Sequence, residues 1–240
     1  MLYWHYYLMG AILLPGIIIA TWAQIKVNST FNKYNEIFAR SNITASELVR
    51  RLLAAANMNH IQVTQVPGEL SDHYDSRKKV LALSYNVHDS SSIAALGVAC
   101  HEFGHALQDR SNYAAFRIRQ VLIPVTNFMS KLLWPLVVIG LIFNFAVVDG
   151  GTLATIFIWS GIGVFGGSVL VNLVTLPVEY NASNRAIKLL RETGTLDEEE
   201  LEGAKKTLNA AALTYVAALL VSLLYLLRFV LVILKAKSRD

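Results

Sequence analysis

The sequence predicts a mainly α membrane protein with about four transmembrane helices, joined on the cytoplasmic side by a helix bearing two histidines and a small β-hairpin. Three observations lead there. The composition is 54% hydrophobic and 16% charged, with a mean hydropathy of +0.44, a richer apolar share and a poorer charged share than ordinary soluble domains have. Lys, Arg, Asp and Glu are absent from Met1 to Ile25, Leu132 to Val148, Gly150 to Val178 and Thr207 to Leu227, each close to the ~20 residues that cross ~30 Å of hydrocarbon. Finally, Ser92 to Asp109 reads SIAALGVACHEFGHALQD, with Ile93, Leu96, Cys100, Phe103 and Leu107 forming the stripe of an amphipathic helix.

Taken in order, residues 1–25 read as a retained anchor, since MLYWHYY has no basic n-region of a secretory signal. Gln24 to Arg40 places Phe31, Tyr34, Ile37 and Phe38 at helical spacing, as an amphipathic helix near a membrane surface would. Thr44-Ala-Ser-Glu47 is a capping box that opens a helix running to about Asn57. Ile61 to Val66 and Val80 to Tyr85 read as strands of a small antiparallel pair, separated by PGELSDHYDSRKK. An exposed edge near Leu81 would let an extended peptide add to that pair. Asp72, His73, Tyr74 and Asp75 in the connection are candidates to bind a second ion or polarise a substrate carbonyl.

Asp89 and the serines after it cap the histidine helix, 92–109. His101 and His105 stand four residues apart, so both imidazoles share one face and can grip one ion. Glu102 lies beside the first. H-E-x-x-H is the arrangement in which two neutral imidazoles hold Zn²⁺ and the adjacent Glu takes a proton from an attacking water. Roughly 0.006 such matches are expected by chance at this composition, so coincidence explains it poorly. Gly97 and Gly104 leave room for another helix to come close.

Two ligands leave a site incomplete. Residues 131–178 read as a transmembrane hairpin that returns the chain at PVEYNASNRA. Glu179, the first acid after the third uncharged run, is the expected third ligand, with Ser183 and Arg185 as supporting residues. Ala182 and Ala186 allow tight helix pairing. Residues 179–206 then carry this helix and an acidic connector, in which Gly194 ends one helix and Thr195-Leu-Asp-Glu198 caps the next. Residues 207–234 form the last span, and residues 26–130 the region that holds the histidines.

Basic residues concentrate between the first two spans, from Lys26 to Lys131, which puts that segment in the cytoplasm; Lys235, Lys237 and Arg239 at the C-terminus oppose this with four spans. The net charge of +4 and pI of about 9.1 come without a nucleic-acid-binding motif, so the expected partners are the bilayer and a peptide or protein substrate. Cys100 sits on the apolar stripe, where a buried hydrophobe fits better than a ligand.

The stretches SDHYD, LALS, VACHEFGHALQ and LPVEYNAS together resemble those of the YugP-like neutral zinc metallopeptidases of bacterial membranes. The likeness runs in order from about Phe31 to Ala186. A more distant one is to HtpX-like proteases, whose HExxH helix and later E-x-x-A-D helix supply zinc ligands. These resemblances imply a zincin-like catalytic region and a multi-pass membrane zinc endopeptidase with its active site facing the cytoplasm. They give one Zn²⁺ held by His101, His105 and Glu179, with Glu102 as base. Ser183 stands where the HtpX-like pattern has Asp, and Asn181 where YugP-like chains are expected to have Asp. The reading from a different class is a non-catalytic membrane scaffold clamped by a structural zinc.

Overall fold

The computed structural model describes residues 10–146 and 151–237. The first nine residues of the expected anchor, the Asp149 turn and Arg239 lie outside the described residues. The elements are α1 (Leu14–Asn35), α2 (Ala45–Ala55), β1 (Gln62–Val66), β2 (His73–Asp75), β3 (Val80–Ser84), α3 (Tyr85–His88), α4 (Ile93–Arg110), α5 (Ala114–Ala146), α6 (Gly151–Glu192) and α7 (Glu198–Lys237). They divide into two compact units: Met1–Thr21, Arg117–Thr175 and Tyr215–Asp240 form one, Trp22–Phe116 and Leu176–Thr214 the other.

Among the described residues two helices are long and apolar enough to cross a bilayer, Trp159–Glu192 and Glu198–Leu234, rather than the four expected. The uncharged runs Met1 to Ile25 and Leu132 to Val148 both extend into residues outside the described ones. In α1 the uncharged part, Leu14 to Ile25, spans roughly 18 Å at 1.5 Å per residue. In α5 the described uncharged part, Leu132 to Ala146, spans roughly 22 Å, also short of ~30 Å. Within the first unit glycines let helices come close. A Cβ at Gly161 would strike the Phe229 ring, Gly163 meets Met129, and Gly167 meets Thr126.

The second unit has one continuous apolar core. Leu48, Val49, Leu52 and Leu53 of α2, Leu81 and Leu83 of β3, Leu96 and Phe103 of α4, and Leu190 of α6 meet there. Thr44 caps α2 as the motif predicts, its hydroxyl accepting the Glu47 N–H at 3.3 Å. The α2 helix stops at Ala55, two residues early, because the chain turns at Asn57 with φ +52°.

The sheet differs from expectation in topology. The strand order is β1-β3-β2, β1 and β3 are parallel, and β2 runs antiparallel to β3. A hairpin exists, but between β2 and β3. The parallel crossing is possible because the connection from Pro67 to Lys79 is about as long as the dozen residues such a return needs. Leu81 therefore pairs with Val63 on one side and Tyr74 on the other, and the free edge expected there is filled.

Ser92 alone caps α4, its Oγ accepting the Ala95 N–H at 3.1 Å while donating to Asn35 at 2.7 Å. The α7 helix opens two residues later than Thr195 would place it. Asp197 and Glu200 there exchange reciprocal bonds, each accepting the other's backbone N–H at 2.9 Å. Gly194 ends α6 with φ +63°, the left-handed conformation that glycine adopts without steric cost.

Candidate metal centre

The expected donors meet inside the second unit. The α4 helix presents His101 and His105 with ring centroids 4.7 Å apart and planes at 87°. The α6 helix brings Glu179, only 1% exposed, to face them. Its Oε2 lies 3.2 Å from His101 Nε2 and 3.6 Å from His105 Nε2. The crossing is close because Gly104 touches Ala182: a Cβ on Gly104 would come to 2.8 Å from the Ala182 carbonyl oxygen. At Gly97 the neighbour is Ala204 of α7, at an ordinary 3.4 Å.

The outward-facing ring nitrogens are held by neutral partners. His105 Nδ1 is 3.0 Å from Gln108 Oε1, and the Gln108 amide donates to the Val178 carbonyl at 2.8 Å and to Asn181 Oδ1 at 3.0 Å. Both amide donors of Gln108 are thus used, so its oxygen must face His105 and His105 Nδ1 must carry the proton. The neutral imidazole then turns the lone pair of Nε2 toward Glu179. His101 Nδ1 pairs with Ser183 Oγ at 3.0 Å. Arg185 acts one step further out, donating from Nε to Asn181 Oδ1 at 2.8 Å. Phe116 stacks on His105 at 6.0 Å.

Zn²⁺ fits this donor set. Tetrahedral bonds of ~2.0–2.2 Å keep ligand atoms about 3.3–3.6 Å apart; of the two spacings from Glu179, 3.2 Å lies just below that range and 3.6 Å at its upper end. The residues that could hold the ion are His101, His105 and Glu179. Glu102 is also near, since one donor atom from each of His101, Glu102 and His105 falls within 4.8 Å of the others. Burial raises the Glu102 pKa, with the two imidazoles pulling it partly back. At His105 burial disfavours the imidazolium, but the hydrogen bond and charge of Glu179 outweigh it and raise the pKa.

The SDHYD residues serve different bonds. Asp72 accepts the Ser84 N–H at 2.7 Å and its hydroxyl at 3.0 Å; burial raises its pKa against the pull of those bonds. Tyr74 donates its hydroxyl to Asp109 Oδ2 at 2.8 Å, where Lys79 Nζ also binds at 2.5 Å. Burial and the Asp109 carboxylate raise the Tyr74 pKa. His73 Nδ1 lies 2.8 Å from the Ser71 carbonyl and is exposed. Asp75 accepts the N–H groups of Lys78 and Arg77, which lower its pKa. Cys100 is fully buried, its thiol pushed up to about 12 by burial. Sequence reasoning missed Gln108 and gave Asn181 no role; the only signal for Gln108 was its place one turn beyond His105.

A family model described as "Putative neutral zinc metallopeptidase" matches residues 9–234. The chain belongs to this family. One relative within reach is the protein called "Putative membrane protease YugP" of Bacillus subtilis (strain 168), 42% identical over 223 residues, which are 92% of this chain and 95% of that protein. No solved structure matches. The family implies zinc, and the donor set described above is suited to it.

Proposed function

We propose that the protein is a membrane-embedded, zinc-dependent endopeptidase in which His101, His105 and Glu179 hold one ion and Glu102 is the general base. The observation that carries this is the approach of one Glu179 oxygen to both Nε2 atoms at ligand-to-ligand spacing. When bound, zinc would supply the Lewis acidity that acidifies a water and polarises the scissile carbonyl. Glu102, its carboxyl shifted upward by burial, takes the water proton as the peptide carbon is attacked and passes it to the departing amine. Gln108 and Ser183 keep the imidazoles turned toward the ion.

Two candidate spans and the name of the relative support a multi-pass chain in a bacterial cell membrane. The basic residues from Lys26 to Lys131 support a cytoplasmic active site. The substrate in this reading is a peptide or protein.

The test uses the purified full chain with zinc measured by elemental analysis. Wild type should hold one zinc and cut an unfolded, casein-like substrate; Glu102→Gln should keep the zinc and lose cutting by about 10²-fold or more. Undiminished cutting by Glu102→Gln overturns the mechanism. Loss of cutting in wild type with zinc still bound would favour the scaffold reading.

A further inference from the structure

A second pocket in the same unit, with a cavity volume of about 430 Å³, is lined by Lys26, Thr30, Lys33 and Tyr34 of α1, Tyr180 of α6, and Lys206, Asn209, Ala210 and Leu213 of α7. We propose that it binds a phosphate-bearing anion, supplied by the headgroup of an anionic phospholipid.

Three features carry this. The first is charge: three lysines line the cavity, and no acidic side chain does so among the described residues. The nearby Glu202 pairs with Lys205 at 3.6 Å, outside the cavity. The second is spacing. Lys26, Thr30 and Lys33 repeat at steps of four and three on α1, and Lys206, Asn209 and Leu213 at three and four on α7, so each helix turns one face to the cavity. The helices are held together by Tyr34, whose ring packs on Gly203. Lys33 Nζ lies 5.5 Å from the Tyr34 ring centroid, and the hydroxyls and amide can donate to phosphate oxygens.

The third feature selects the source. Lys26 is the first charged residue after the run Met1 to Ile25, and Lys206 the last before the run Thr207 to Leu227. Two cations on neighbouring helices thus mark the point where each chain segment changes from apolar to charged, the level at which lysines meet lipid headgroups. Ala210 and Leu213 offer apolar wall on the side of the second run. A zwitterionic headgroup would bring an ammonium among three lysines and be disfavoured.

The test uses the full chain in neutral detergent micelles, titrated with phosphatidylglycerol, phosphatidylcholine or inorganic phosphate. Phosphatidylglycerol should raise the melting temperature by about 2–4 °C and phosphatidylcholine should not. The combined variant Lys26→Ala, Lys33→Ala, Lys206→Ala should lose the shift, and the triple Lys→Arg variant should keep it. Lys205→Ala should behave as wild type. Zinc content checks that each variant is folded, independently of cleavage. An equal shift with inorganic phosphate alone supports the anion site and assigns free phosphate as its occupant. Equal shifts with both lipids, or a full shift in the triple alanine variant, overturn the proposal.

Discussion

His101 and His105 of helix α4 form one polar cluster with Glu179 of α6, and Asp109 of α4 forms another with Tyr74 and Lys79 about a turn beyond it. Both contain a buried carboxylate, yet they are completed in opposite ways. Asp109 is met by a cation at 2.5 Å and a hydroxyl at 2.8 Å on the same oxygen, which balances its charge with protein groups. At the other cluster the side chains that meet the outer ring nitrogens carry no charge. Ser183 and Gln108 are neutral and only orient the rings, so the inner nitrogens and Glu179 Oε2 are directed at each other. A balanced carboxylate ties a strand to a helix; a set of oriented lone pairs suits a cation. Ionisable residues alone do not distinguish the two, but their partners do.

The comparison breaks most sharply at the carboxylates. Glu179→Ala should abolish stoichiometric zinc binding, measured by elemental analysis. Lys79→Met should leave zinc at one per chain and instead lower thermal stability by about 1–3 kcal/mol, as Asp109 loses its cation while Lys79 was itself partly exposed. Zinc loss in Lys79→Met would make the clusters one functional unit. Gln108→Leu should weaken zinc about 10–100-fold in a chelator competition, because His105 would lose the acceptor that fixes its tautomer.

Acidity gives a third measure. The His105 pKa is raised above the ordinary 6.5 and zinc needs the neutral imidazole, so affinity should be full above that raised pKa. It should fall as pH drops through it, by up to about tenfold per unit for one competing proton. Calorimetry in two buffers of different ionisation enthalpy would register the released proton; identical heats would count against it. The smallest effect separates two glycines. Gly104→Ala must push on the Ala182 backbone and should cost about 1–3 kcal/mol, whereas Gly97→Ala meets Ala204 at ordinary contact distance and should be nearly neutral in thermal melts.

Much of this centre was legible in the chain. His101 and His105 are local to one helix, and their spacing alone aligns them. Glu179 could be found because an uncharged run ends at it. Gln108 could not, since its bonds reach Val178 and Asn181, some seventy positions away, and one glutamine on a helix surface carries no periodic signal. The sheet misled for a related reason: β2 is three residues long inside a turn-rich stretch, and only its pairing with β3 reveals that β1 must lie on the far side.

The 78 positions between His101 and Glu179 have a consequence for biosynthesis. A nascent chain still short of Glu179 has the motif helix but lacks one of its three metal donors, and the loop between them must close before the ion can be gripped. In the reading proposed above, the complete donor set, and with it any cleavage, is therefore delayed until most of the polypeptide has been translated, a built-in timer against early activity.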